Sequence, residues 1–359
     1  MQRWVRVVTT GGLLVGLAAV SVPAQAGEGS ASPLAAPGNW NVTEISEIPP
    51  GLLGLTKYSL VEPTSSGDVL VAAEDHYRQP DDRQPIRCWN GTDWTEIPKP
   101  AMTGDAGTQY RALGGASCTD FYVFDNADVP QRWHWNGSWW LNAPTGSRYP
   151  VDTVRAFAAN DIWAFSSIAS QGFHFNGTSW RQISIPVMDV DVAVGVSSSD
   201  FWLLGSVPNS SALLAYRRNG TTWTKGSLPA TYKGYLHSTA GAASNNLYVL
   251  GTTMTPGYLR WDGTSWRHEQ APSGLTGYPQ DIAYAGGTLW VTLGSGFLRL
   301  SNGQWSKEPY PVVDNPYGLH IFGLATDPRT ETIFGAGYVG NSEVGGIRKA
   351  IIENVAQAG

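Results

Sequence analysis

Seven short segments open on a polar residue and reach, four residues later, mostly glycine or alanine. They are YSLVE from Tyr58, RALGG from Arg111, DTVRA from Asp152, DVAVG from Asp191, HSTAG from His237, DIAYA from Asp281 and HIFGL from His320. Asp191, His237, Asp281 and His320 lie on consecutive segments, and carboxylate plus imidazole is a ligand set for Mn²⁺, Mg²⁺ or Zn²⁺. The same groups can do acid–base chemistry, because crowded carboxylates and imidazoles have displaced pKa values. A polar lining around a water-filled opening is the plainer alternative. Tyr110, Tyr149, Tyr235, Tyr278 and Tyr317 stand just ahead of the segments, with Arg148 and Lys233 nearby. Tyrosine faces beside polar groups suit a sugar, which stacks its C–H face and hydrogen-bonds its hydroxyls; tyrosines covering a rim fit equally. The expected ligand-binding set is Tyr58, Arg111, Asp152, Tyr149, Tyr235, Tyr278 and Tyr317. A further loop, AEDHYRQPDDRQP (73–85), brings Asp81 and Asp82, which with Asp125 and Asp128 could hold Ca²⁺ through oxygen ligands. A solvated charged loop is the simpler reading. No EF-hand spacing, phosphate loop, G-x-S-x-G or zinc-type histidine motif occurs.

What would bring seven distant segments together is a repeat. A phrase recurs as RCWNGTDW, HWNGSWW, FHFNGTSW, RRNGTTW, LRWDGTSW and LRLSNGQW, with its Asn or Asp at positions 90, 136, 176, 219, 262 and 302. The steps are 46, 40, 43, 43 and 40 residues, a period that belongs to four-stranded propeller blades. Asn-Gly and Asp-Gly favour the type I′ hairpin turn, with positive φ at both central residues. On that reading Asn90-Gly91 is the turn, Trp89 pairs with Thr92, and the tryptophans cover the neighbouring blade. The sequons at Asn90, Asn136, Asn176 and Asn219 then reflect turn chemistry rather than glycosylation. Upstream of each phrase lies an apolar strand such as GDVLVAA, TDFYVF, NDIWAF or SDFWLLG, with a further strand before it.

The ends complete the count. Residues 320–354 supply three strands, and WNVTEISEIP, from Trp40 to Pro49, has the tryptophan and closing proline of the missing fourth. The expectation is an all-β, seven-bladed β-propeller of four-stranded antiparallel blades, closed by an N-terminal strand joining the last blade. Blade limits fall at about 51–100, 101–146, 147–188, 189–229, 230–272, 273–309 and 310–355 plus 38–50. Closure leaves no open sheet edge, and a monomer is expected.

The stretch LYVLG…LRWDGTSWRHEQAP (247–272) resembles the kelch repeat of the galactose-oxidase type of propeller: an apolar strand ending in glycine, then a hairpin closing on tryptophan. The resemblance covers nearly the whole chain after residue 26 and implies the fold. It departs at Gly205 and Gly251, which stand alone where kelch has a glycine doublet, and no counterpart of the family's copper ligands or tyrosyl-cysteine is found.

Arg3 and Arg6 precede the apolar run GGLLVGLAAVSV and an Ala24-Gln25-Ala26 cleavage pattern, so residues 1–26 read as a signal peptide and 27–359 as one secreted, extracellular domain. No later run is long and apolar enough to insert in a membrane. A formal charge of −6 disfavours nucleic acid as a partner. Cys88 and Cys118 fall on adjacent blades near one face. A disulfide suits an exported protein, and two buried thiols are the alternative. The function expected is binding of a glycan or protein ligand on the loop-rich face around the channel. The alternative is a metal-assisted lyase or hydrolase of carbohydrates or lactones using the polar ring.

Overall fold

The computed structural model describes residues 40–47, 58–73, 86–102, 108–168, 170–252, 257–271, 279–341 and 345–354. Tyr278, Asp81, Asp82 and the proposed signal peptide lie outside these residues. The described strands form seven four-stranded sheets, each antiparallel and in chain order except the last. In that sheet Trp40–Glu47 pairs with Gly345–Asn354, with Trp40 opposite Asn354 and Glu47 opposite Arg348. The ring is therefore closed by the N-terminal strand, as the sequence predicts. Trp40 stacks flat on Phe297 at 4.1 Å and meets Trp290 edge-on at 5.3 Å, so it seals the seam against blade 6.

Each second strand is apolar along both faces because it is sandwiched by the neighbouring blades. Thr288–Leu293 is buried at all six positions. Phe121, Phe201, Phe297 and Phe334 are completely buried and receive the tryptophans of the outer strands. Trp140 stands edge-on to Phe121, Trp223 to Phe201 and Trp94 to Phe334. The small residues that end the inner segments answer a steric demand: a Cβ on Gly115 or Gly195 would collide with Phe121 or Phe201.

The hairpin phrase folds differently from the type I′ expectation in most blades. Trp89 pairs with Trp94, so the loop holds four residues, Asn90 to Asp93. Only Gly91 has positive φ there. The Asn90 side chain accepts N–H bonds from Thr92 and Asp93, each 2.9 Å, and Asn136, Asn176 and Asp262 repeat this pattern. The asparagine is therefore selected as an acceptor that ties the loop. The expected turn is found at Asn302-Gly303, where φ is 51° and 74° and Ser301 pairs with Gln304.

The seam between blades 7, 1 and 2 is polar and covalent. Cys88 and Cys118 form a disulfide with a Cα separation of 5.7 Å. Asp68 accepts from Cys118 N at 2.8 Å and pairs with Arg329 at 2.9 Å. Arg329 also pairs with the wholly buried Asp327 at 2.9 Å. Among the described residues no helix is long and apolar enough to cross a membrane.

Candidate functional site

Strand pairing fixes which residues share a level on the inner strands. In each blade one inner residue faces the first apolar residue of the second strand: Pro63, Gly115, Ala156, Gly195, Gly241, Tyr284 and Thr326. Four residues back toward the mouth stand Ser59, Arg111, Asp152, Asp191, His237, Gln280 and Phe322. Five of these, Ser59, Arg111, Asp191, His237 and Phe322, are bulge residues skipped by the partner strand. Of the seven residues aligned from sequence, Arg111, Asp152, Asp191 and His237 therefore share this level and the other three lie off it. Tyr58 lies one residue and His320 two residues nearer the mouth, while Asp281 lies one residue deeper. The cue was a small residue four places on. Blades 1, 6 and 7 put Pro63, Tyr284 and Thr326 there instead.

The side chains of this ring are engaged in holding blades together. Arg111 of blade 2 donates to Asp152 Oδ1 of blade 3 through Nε at 3.1 Å and Nη2 at 2.8 Å. The other Asp152 oxygen accepts from the backbone N–H and hydroxyl of Ser167 at 3.1 and 2.7 Å. Thr153 Oγ1 donates to the Asp191 carbonyl at 2.9 Å. His320 Nε2 donates to the Tyr317 carbonyl at 3.2 Å, and its ring stacks on Tyr338. His237 is exposed. Asp191, His237, Asp281 and His320 do not converge. Among the described residues, the one set of three ligand-bearing side chains within 4.8 Å of one another is Asp68, Cys88 and Cys118, whose sulfurs form the disulfide. The Ca²⁺ reading fares similarly at Asp125, which is wholly buried and accepts from Gln131 N, Ala127 N and Trp133 Nε1.

Asp281 instead staples three blades. Its carboxylate accepts from Ser238 Oγ of blade 5, from Leu324 N of blade 7 at 2.6 Å and from its neighbour Ile282 N at 2.8 Å. Burial raises its pKa to about 6, against the lowering effect of those donors. Two further charges meet it in the channel. Three residues beyond the ring, the inner strands carry Glu62, Gly114, Arg155, Val194, Ala240, Ala283 and Ala325. Glu62 and Arg155 are the two ionisable groups at that level, and neither was singled out from sequence. Burial pushes Glu62 up to about 8; Asp281 reinforces the rise and Arg155 opposes it. Burial lowers Arg155, and Glu62 opposes that; its Nη2 donates to the Gly195 carbonyl at 2.9 Å. Blades 1, 3 and 6 are not neighbours, so these fields act across the axial channel. At neutral pH Glu62 keeps its proton and Asp281 is ionised, with the Arg155 guanidinium acting on Glu62, so the set is close to balanced. Such a set can hold a proton within the channel.

Among the described residues, seven of the ten exposed large apolar side chains lie at the channel-mouth face. On that face Val312 is 98% exposed, Val187 74%, Val129 62% and Tyr235 60%, with Tyr317, Ile168 and Tyr149 less so. All seven sit on connections between blades, on the loops joining second to third strands, or at the first residue of an inner strand, and antiparallel order puts those on one face. Among the described residues Trp139, at 61%, Leu141, at 51%, and Val196 are the exposed large apolar side chains elsewhere. Tyr149, Tyr235 and Tyr317, expected at the rim from sequence, are there. Side-chain surroundings of Tyr58 lie outside the described residues.

Comparisons with known proteins place the fold without fixing a family. No family model matches the chain, and no curated protein matches it in sequence. Solved structures do match. The WD40 repeats of RRP9 share 11% identity at a TM-score of 0.60, over 90% of this chain and 99% of theirs. YCF48 bound to a D1 peptide shares 12% at 0.57, over 89% and 97%. The extracellular domain of a putative one-component system, BT4673 from B. thetaiotaomicron, shares 10% at 0.57, over 88% and 40%. At such identity the likeness establishes architecture alone. The chain is a seven-bladed β-propeller with WD40 proteins among its structural neighbours, and nothing in these matches is specific to the kelch or galactose-oxidase type.

Proposed function

We propose that this protein is an exported binding propeller that holds a protein segment on its channel-mouth face. The observation that carries the reading is the concentration of exposed Val129, Val187, Val312 and Ile168 with Tyr149, Tyr235 and Tyr317 on that one face. Apolar surface gathered on one face of a rigid scaffold is the signature of a docking surface. Branched aliphatic side chains favour a polypeptide partner, because they offer no flat π face on which a sugar ring can stack. Tyr149, Tyr235 and Tyr317 keep a glycan as the second reading. Among the structural neighbours, YCF48 is bound to a D1 peptide and BBS1N is in complex with ARL6DN, so the architecture accommodates such partners.

A metal-assisted lyase or hydrolase at the ring has less support. Its four proposed ligands lie at three different levels of the inner strands, and Asp281 already accepts three hydrogen bonds. Export is supported by the Cys88–Cys118 disulfide, which persists in an oxidising compartment. The ring closure on the chain's own strand supports a monomer.

The test pans a random peptide library and a glycan array against the purified protein. Peptides that lose binding on Val187→Asp with Val312→Asp support the reading. Ligands confined to the glycan array, and insensitive to both substitutions, would replace it with the lectin-like one.

A further inference from the structure

The opposite face, built of tight turns, carries a cleft of about 340 Å³ between blades 3 and 4. Its origin is a departure from the repeat. The last inward position of the third strand, facing the first apolar residue of the second, holds Trp89, Trp135, Phe175, Trp261 and Leu300 in blades 1, 2, 3, 5 and 6. Blade 7, whose outer strand comes from the N-terminus, has Asn354 opposite Ile333, and blade 4 places Arg218 there, opposite Phe201. Where an aromatic wedge would fill the seam, a guanidinium lies 4.5 Å from the Trp163 ring and 5.6 Å from that of Trp223.

The guanidinium is half-buried, and burial lowers its pKa. Its Nε donates to the Ser198 carbonyl at 3.1 Å. The N–H groups on its two terminal nitrogens have no hydrogen-bond partner among the described residues. Asp161, the carboxylate in the cleft, accepts from His174 Nε2 and Trp163 Nε1, both at 2.8 Å, which fixes it on its own blade. In blade 4 the equivalent Asp200 takes a bidentate pair from Arg217, leaving Arg218 as a second cation that the Asp161 charge favours without a hydrogen bond to it. A planar guanidinium desolvated on one face by indole and open at its fork is matched by a planar carboxylate. Asn160, Asn176 and Ser199 supply neutral polar groups around it.

We propose that this cleft binds the carboxylate of a small monoanionic ligand, gripped by the Arg218 fork over Trp163. The proposal stands apart from the apolar face and needs no part of it. Asp161 disfavours a dianion, so inorganic phosphate binds less well than a carboxylate.

The test is calorimetric titration of the whole protein with glucuronate and with N-acetyl-alanine, each a monoanion, against their neutral counterparts glucose and N-acetyl-alaninamide, and with phosphate. The carboxylates are expected to bind at least about tenfold more tightly than the neutral pairs, as a charge-assisted bidentate contact provides. Saturation by glucuronate alone points to an acidic sugar, and by N-acetyl-alanine alone to a peptide terminal carboxylate; either supports the site. Arg218→Trp restores the wedge of blades 1, 2 and 5, so it should keep the melting temperature and abolish binding. Arg218→Gln, which keeps the open cleft, should abolish it too. The proposal is overturned by retention of binding in both variants, by equal affinity for the neutral ligands, by tighter binding of phosphate, or by no saturation below about 20 mM, the weak end of single-contact affinities.

Discussion

Replacing Glu62 with glutamine should make the protein more stable at alkaline pH and leave it unchanged in acid. Glutamine has the shape of the protonated acid and cannot ionise. In the native chain burial lifts Glu62 from 4.5 to about 8, so the folded state binds a proton more tightly than the unfolded chain. Its stabilising contribution is therefore complete below about pH 4.5 and is lost as pH climbs to about 8. A rise of that size corresponds to about 5 kcal/mol across the window. Water entering the channel and the Arg155 charge screen the new carboxylate, bringing the expected loss to about 2 kcal/mol. Asp281, raised from 3.8 to about 6, adds a second loss in the same direction at lower pH. The assay is urea unfolding of native and Glu62→Gln protein at about pH 5 and about pH 8.5, compared through their midpoints at constant slope. The variant should gain about 2 kcal/mol on the native protein at the higher pH alone. If it is destabilised by similar amounts at both, Glu62 is an ionised partner of Arg155, and the balanced-channel argument is wrong.

Trp40→Ala removes the ring that fills the space between Phe297 and Trp290. It should cost about 3–5 kcal/mol, read as a fall in thermal midpoint, with hydrogen exchange accelerated in Gly345–Asn354 before other strands. Arg329→Met leaves the buried Asp327 and Asp68 without their cation. A loss of about 2 kcal/mol is expected after allowance for the part-exposed guanidinium. That loss should shrink in acid: Asp327, which burial alone would raise, is held below the usual carboxylate range by Arg329, so its contribution disappears as pH falls through its folded-state pKa. Unchanged stability of either variant would remove that residue from the account of how the ring is held shut.

The architecture was legible because a propeller writes one phrase per blade. The repeated hairpin, the apolar second strand and the tryptophan of the outer strand each state the same burial demand. The split last blade followed from counting, with Trp40 as the cue. The site was legible in part. Arg111, Asp152, Asp191 and His237 could be aligned because their segments end on the small residue that Phe121, Ile162, Phe201 and Leu247 require. Asp281 slipped because Ala285 offers the small-residue cue one place past Tyr284, which faces Leu289, and His320 because its blade lacks the cue and bulges at Phe322 without a local signal. Glu62 and Arg155 were passed over for a different reason. Their partnership runs across the channel between blades 1, 3 and 6, and no local pattern marks it. Arg218 was visible throughout, as the arginine of RRNGTTW where other copies carry Trp, Phe or Leu. It gained meaning only once that position was seen to face the next blade.

The central claim is that the channel-mouth face is a docking surface for polypeptide. Its most direct test is the affinity of a peptide selected on the native protein for a variant carrying Val187→Asp, Tyr235→Ser, Val312→Asp and Tyr317→Ser. The thermal midpoint should be unchanged, since these side chains are exposed, while affinity should fall at least about tenfold, as expected when docking residues of an interface are removed. A selected peptide that binds both proteins equally well would contradict the claim.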